Sequence, residues 1–125
     1  MNAEKLICVI EDNTPIRKLY CTLLKRAGYE TVDFEEGKPA IEWLSTNPAR
    51  AIIMDILLPD MNGTDLYYQV RQIDIHAATP IIAITGFATT QDRQKFVNIG
   101  FTGYISKPIN TTTFVSDVEN IINQK

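Results

Sequence analysis

Short apolar runs alternate along the chain with longer stretches of helical period. Leu6 to Ile10 is a run of β-formers that stops abruptly at Glu11-Asp12-Asn13. Pro15 suits the first turn of a helix, where its missing N–H costs nothing. Ile16, Leu19, Tyr20, Leu23, Leu24 and Ala27 then follow the i, i+3, i+4, i+7 rule, and Gly28 closes that helix. A weaker strand, Glu30 to Phe34, leads to a helix around Pro39 to Ser45 that carries Ala40, Ile41, Trp43 and Leu44, before Asn47-Pro48 breaks it. Ala51 to Met54 reads as a third strand, followed by Asp55 and a loop through Pro59. Gly63 opens a helix through Leu66, Val70 and Ile73.

The pattern then repeats. Ile81 to Ile84 is a fourth strand, ended by Thr85-Gly86. A helix from about Thr90 to Asn98 presents Phe96, Val97 and Ile99, with Gly100 after it. Thr102 to Ile105 is a fifth strand, closed by Ser106-Lys107-Pro108. Asn110 is placed to cap a last helix with Phe114, Val115, Val118, Ile121 and Ile122 inward. Strict strand–helix alternation with unbroken apolar strands predicts an α/β fold, with a parallel sheet covered by helices on both faces. Residues 1–125 form one domain, with no repeat, linker or low-complexity tract.

Composition narrows the function classes. Across 125 residues the formal charge is −3, so no basic surface is available to neutralise nucleic-acid phosphates. No apolar run approaches the roughly 18 residues of a membrane helix. The N-terminus lacks a signal-peptide layout, so a cytoplasmic protein is expected. Cys8 and Cys21 lack metal-site spacing and read as reduced thiols.

In parallel α/β sheets, binding groups gather at the carboxyl ends of the strands. Strand one brings Glu11 and Asp12 there, strand three Asp55, strand four Thr85 and strand five Lys107. Three acids close together repel unless a cation sits among them, and Mg2+ favours one or two carboxylates with waters and a phosphate oxygen. Carboxylates accept phosphoryl groups covalently, and phosphoryl transfer needs mainly positioning and charge stabilisation. Thr85 offers a hydroxyl to a phosphoryl oxygen, Lys107 an ammonium, and Gly86 leaves open space at the acceptor.

These residues together resemble a response-regulator receiver domain of two-component signalling. The matching motifs are Glu11-Asp12-Asn13, Met54-Asp55-Ile56 with Pro59 and Gly63, Ile84-Thr85-Gly86 and Tyr104-Ile105-Ser106-Lys107-Pro108. The likeness spans the chain, with Gly86 and Glu11 as common variants. It implies a flavodoxin-like (βα)5 fold with strand order 2-1-3-4-5. The resemblance makes Asp55 the phosphoacceptor, drawing on a phosphohistidine of a sensor histidine kinase or phosphotransfer protein. It makes Asp12, Asp55, Glu11 and the Leu57 backbone carbonyl the Mg2+ ligands, with Glu11 acting mostly through water. Thr85 and Lys107 hold the phosphoryl oxygens, Tyr104 is the aromatic switch, and the Lys107–Pro108 peptide is cis. Such a protein is a signalling module and not an enzyme acting on external substrates.

Further expectations concern partners. The output face is helix four, strand five and helix five, around Phe87 to Gly100 and Tyr104, and it binds a downstream protein. Thr14 to Lys18 is the docking surface for the phosphodonor. The ending Tyr104-Ile105-Ser106-Lys107-Pro108-Ile109 is similar to single-domain regulators of the DivK type, and receivers of hybrid kinases also look like this. Between a stand-alone regulator and a piece of a larger protein, the domain length favours the former.

Two rival classes share features of this pattern. A flavodoxin-like FMN protein wants small or hydroxyl residues after strand one, where Glu11-Asp12-Asn13 stands. A haloacid-dehalogenase-like phosphatase places its nucleophile after strand one with a second Asp two residues on, but Asp55 is followed by Ile56-Leu57. Other polar and aromatic residues take plainer readings. Asp60 after Pro59 is ordinary turn chemistry, His76 is expected in solvent, and Trp43 packs. Tyr67-Tyr68 splits between inside and outside.

Overall fold

The computed structural model describes residues 3–86 and 89–124. The elements are β1 (Leu6–Ile10), α1 (Thr14–Arg26), β2 (Glu30–Phe34), α2 (Gly37–Leu44), β3 (Ala51–Asp55), α3 (Gly63–Arg71), β4 (Ile81–Thr85), α4 (Thr90–Ile99), β5 (Gly103–Ser106) and α5 (Phe114–Ile122), with short 3-10 turns at Ala3–Lys5 and Asp74–His76. The strands form one sheet in the order β2-β1-β3-β4-β5. Every pairing is parallel. This is the expected flavodoxin-like topology.

Parallel pairing brings all five carboxyl ends to one edge. Every residue of β1, β3 and β4 is buried, which explains their unbroken apolar runs. Alternate residues then serve opposite faces. Ile7, Val9, Ile53, Ile82 and Ile84 pack with Tyr20, Leu24, Phe114 and Val118 of α1 and α5. Cys8, Ile10, Ile52, Met54 and Ile81 pack with Ala40, Leu44, Leu66, Val70 and Phe96 of α2, α3 and α4. Burying each such aliphatic side chain contributes about 1.5–3 kcal/mol. Both cysteines are buried and free, one in each layer, and burial pushes the Cys8 thiol above its ordinary pKa. Tyr67 is buried and Tyr68 exposed, and Trp43 packs against Phe34.

The helix faces depart from the periodic reading in places. Leu19 is 38% exposed, and Arg17 takes a buried place on α1 instead. The inward face runs through Arg17, Tyr20, Cys21 and Leu24 at i, i+3, i+4 and i+7, which leaves Leu19 and Ala27 on its margin. Val97 is 58% exposed, because α4 buries only Phe96 fully and Val97 stands one residue around the helix from it. Ile73 lies beyond the end of α3 but still packs on the core. Asn110 caps a turn and not α5: its Oδ1 accepts from the Thr112 N–H at 2.9 Å, and α5 starts after Thr113.

His76 is fully buried, contrary to the expected solvent position. Its Nε2 lies 3.1 Å from the Leu44 carbonyl and 2.9 Å from the Asn47 carbonyl, with Nδ1 3.0 Å from Thr79 Oγ1. Carbonyls left over at the C-terminal end of α2 thus gain a side-chain donor. A polar sequence context conceals this, because the partners lie about thirty residues away.

Candidate functional site

The carboxyl edge of the sheet collects the acids. Asp55 ends β3, in register with Ile84 of β4, and is 7% exposed. Its Oδ1 accepts from the Leu57 N–H at 3.1 Å, and its Oδ2 accepts from Lys107 Nζ at 2.9 Å. Leu57 follows in the loop with its side chain in solvent and its backbone beside the carboxylate. Gly63 shapes that loop. A Cβ there would meet Ile56 Cα at 2.7 Å and the Asp55 carbonyl oxygen at 3.0 Å, and the Gly63 N–H donates to the Ile56 carbonyl at 2.6 Å.

Glu11 and Asp12 stand just past β1. Glu11 is buried, with Oε1 2.8 Å from Lys107 Nζ and Oε2 accepting from the Asn13 N–H at 3.3 Å. Asp12 is exposed. Asn13 caps α1 through the Ile16 N–H at 3.0 Å, which leaves the two acids free for other work. One carboxylate oxygen from each of Glu11, Asp12 and Asp55 lies within 4.8 Å of the other two. Thr85 ends β4 almost wholly buried, and its carbonyl accepts the Lys107 N–H at 2.8 Å. Gly86 next to it is open: an added Cβ would meet nothing within 4 Å. The Lys107–Pro108 peptide is cis.

The charges are unevenly balanced. Burial pushes the Glu11 carboxyl up to about 7; the Lys107 bond opposes this, and Asp12 and Asp55 reinforce it. Burial also works against the Lys107 ammonium, but its bonds to Glu11 and Asp55 outweigh that and raise its pKa. Three carboxyl groups face a single ammonium, which leaves the site short of positive charge whenever they ionise together. The donor set is entirely oxygen and suits a hard divalent cation such as Mg2+.

Other expected residues lie further out. Tyr104 sits on β5, paired with Ala83, half-buried on the α2–α4 side, with the Arg93 guanidinium of α4 5.1 Å from its ring centre. Within Thr14 to Lys18, Pro15 and Lys18 are exposed and Arg17 is buried. Phe87, expected at the start of the output face, falls outside the described residues.

The comparisons with known proteins agree with this geometry. The family model described as the response regulator receiver domain matches residues 7–119. The chain belongs to that family. The polar-differentiation response regulator DivK of Brucella anthropi is 30% identical over 118 residues, which are 94% of this chain and 96% of that protein. The chemotaxis response regulator CheY4 of Vibrio cholerae superposes with a TM-score of 0.88 at 26% identity, over 93% of this chain and 97% of that one. The receiver domain of a Pseudomonas aeruginosa sensor histidine kinase gives a TM-score of 0.85 at 25% identity, over 96% and 98% of the two chains. That structure holds a magnesium ion coordinated in its active site cleft. Receiver domains are signalling modules that work with histidine kinases or phosphotransfer proteins and with downstream targets. Among the described residues no helix is long and apolar enough to cross a membrane.

Two residues of this receiver's site region escape a reading by motif. Asp60 reaches across to α2, where Oδ1 accepts from the Gly37 N–H at 2.9 Å and Oδ2 from the Lys38 N–H at 2.8 Å. It caps a helix on another segment, and local sequence carries no signal of that. Arg17 donates through Nη1 to the Glu11 carbonyl at 2.9 Å. Its position on the apolar stripe of α1 was a usable signal.

Proposed function

We propose that Asp55 accepts a phosphoryl group from a phosphohistidine, and that the modified site controls binding of a protein partner. The observation that carries this reading is Lys107 Nζ held between Glu11 and Asp55 at 2.8 and 2.9 Å, with Asp12 close by. Glu11, Asp12, Asp55 and the Leu57 carbonyl would hold Mg2+, which when bound supplies positive charge against the incoming phosphoryl oxygens. An Asp55 oxygen attacks phosphorus as the P–N bond to the donor histidine breaks and a P–O bond forms. The Lys107 ammonium then turns from the carboxylate to a phosphoryl oxygen. Thr85 donates its hydroxyl to another, in the open space beside Gly86.

Phosphorylation can select a conformer only through contacts that differ between the two states. The bonds to Thr85 and Lys107 are those contacts, at about 1.5–3 kcal/mol each for charged partners. Displacement of Thr85 toward the phosphoryl group frees space for Tyr104, which already lies half-buried against α4 and beneath Arg93. The α4–β5–α5 face thereby reports the state of Asp55, with donor docking at Thr14 to Lys18. The protein works as one receiver domain in the cytoplasm, catalysing only its own phosphorylation and dephosphorylation.

Incubation with acetyl phosphate and Mg2+, followed by intact mass measurement, tests the reading. One phosphoryl adduct is expected, absent in Asp55→Asn and in the presence of chelator. An unmodified wild-type mass, together with failure to bind beryllofluoride, would refute it.

A further inference from the structure

Arg17 is the one arginine whose side chain is buried among the described residues. Its guanidinium meets three acceptors on two segments. Nε donates to Asp33 Oδ2 at 2.7 Å, Nη2 to Glu35 Oε1 at 3.1 Å, and Nη1 to the Glu11 backbone carbonyl at 2.9 Å. The first two anchor the guanidinium to the end of β2 and the residue after it. The third grips the first residue of the acidic loop. On its other side Glu11 donates its N–H to the Phe34 carbonyl at 3.0 Å. The Glu11 backbone is therefore tied at both its N–H and its C=O, just where β1 gives way to the loop.

We propose that Arg17 is a positioning residue for the cation site: by holding the Glu11 carbonyl it fixes the direction in which Glu11 and Asp12 present their carboxylates to Asp55 and Lys107. This inference rests on the reading of that cluster as a Mg2+ site. Planar, forked geometry suits arginine to this task, because one rigid group satisfies three acceptors at set angles. Outer-shell partners of this kind commonly change metal affinity by about 10–100-fold when lost. The acids left behind are not trapped: the Asp33 side chain is 44% exposed and that of Glu35 60%. They rehydrate when Arg17 is replaced, so the substitution leaves no stranded buried charge.

The test uses the full chain and the substitution Arg17→Met, which keeps the apolar stem on the α1 face. Mg2+ affinity is measured by calorimetry, and amide hydrogen exchange is followed separately in EDTA. The half-saturating Mg2+ concentration should rise about tenfold. In EDTA the Glu11 and Asn13 amides should exchange faster, while those of β4 keep their protection. A folded variant with unchanged Mg2+ affinity and unchanged Glu11 exchange would overturn the proposal. Should Arg17→Met fail to fold, Asp33→Ala removes the Nε acceptor alone and should weaken Mg2+ binding in the same direction. No weakening there would equally overturn it. Wild-type protein that binds no Mg2+ would defeat the metal reading, and with it the claim that Arg17 serves a cation site. Exchange in EDTA would still show whether the clamp holds the loop.

Discussion

The Lys107 ammonium meets the Asp55 carboxylate at 2.9 Å, although 52 residues separate them in the chain. Parallel register makes this possible. The Thr85 carbonyl, one residue past the partner of Asp55 on β4, takes the Lys107 backbone N–H at 2.8 Å, and from there the lysine side chain reaches the carboxylate. The same ammonium also holds Glu11.

Replacing Lys107 with methionine should therefore affect two acids at once. Glu11 and Asp55 are nearly buried, and without the shared cation they repel each other. Stability in EDTA should fall by about 1–3 kcal/mol, the scale of a lost partner at a buried charged group. Mg2+ should restore part of that loss, and phosphorylation by acetyl phosphate should slow markedly. Urea unfolding with and without Mg2+ measures the first effect. An unchanged midpoint in EDTA would mean that the ion pair contributes nothing.

Mg2+ alone should stabilise the wild-type protein. A ligand present at about 100 times its dissociation constant adds about 2.7 kcal/mol when it binds only the folded state. The three carboxylates that approach within 4.8 Å of one another come from segments that unfolding separates. Asp12→Ala should abolish most of the Mg2+-dependent gain in melting temperature. An equal gain in the variant would place the ion elsewhere.

Asp60 separates a structural acid from a chemical one. Both its oxygens accept backbone N–H groups at the start of α2, where the N-cap residue Glu36 makes no side-chain bond. Asp60→Ala should cost about 0.5–2 kcal/mol, as for other lost helix caps. It should still take up one phosphoryl group on Asp55. Loss of the adduct at unchanged stability would reverse the two assignments.

How much of this was legible follows from the range of each interaction. The strands were readable, because β1, β3 and β4 are buried on both faces and carry unbroken apolar runs, whereas their order in the sheet came from the family resemblance. The motifs around Glu11, Asp12, Asp55, Thr85 and Lys107 were readable because a parallel sheet must bring its carboxyl ends to one edge. Leu19 was misplaced inward and Arg17 passed over for a local reason: a charged residue can occupy an apolar stripe when its head group finds acceptors, and those acceptors come from β2 and the acidic loop. Asp60 was read from the proline before it and His76 from its polar connection, whereas the backbone groups they bond are brought close by tertiary packing.

The burial of His76 gives a sign to the pH dependence of stability. Its Nε2 faces two carbonyls, Leu44 at 3.1 Å and Asn47 at 2.9 Å, which only accept, so Nε2 carries the proton and Nδ1 accepts from the Thr79 hydroxyl. A second proton would charge a fully buried ring near Arg71, whose Nη1 bonds the His76 and Thr79 carbonyls. Burial above all lowers the His76 pKa; the carbonyl bonds oppose it and the Arg71 charge adds to it. An unfolded chain takes up this proton at about 6.5. His76 thus contributes stability that is complete above about pH 6.5 and is lost as pH falls through that value toward the folded pKa, at up to about 1.4 kcal/mol per unit. Glu11 works in the opposite sense. Raised to about 7, it contributes stability below the ordinary carboxylate range, and that contribution fades as pH rises through about 7. Saturating Mg2+ keeps Glu11 ionised and suppresses its part. Under those conditions, urea unfolding between pH 7.5 and 5.5 should show wild type losing about 1 kcal/mol more than His76→Gln. Parallel curves for the two proteins would mean that the folded chain protonates His76 as readily as the unfolded one, and that its carbonyl contacts do not hold the neutral ring.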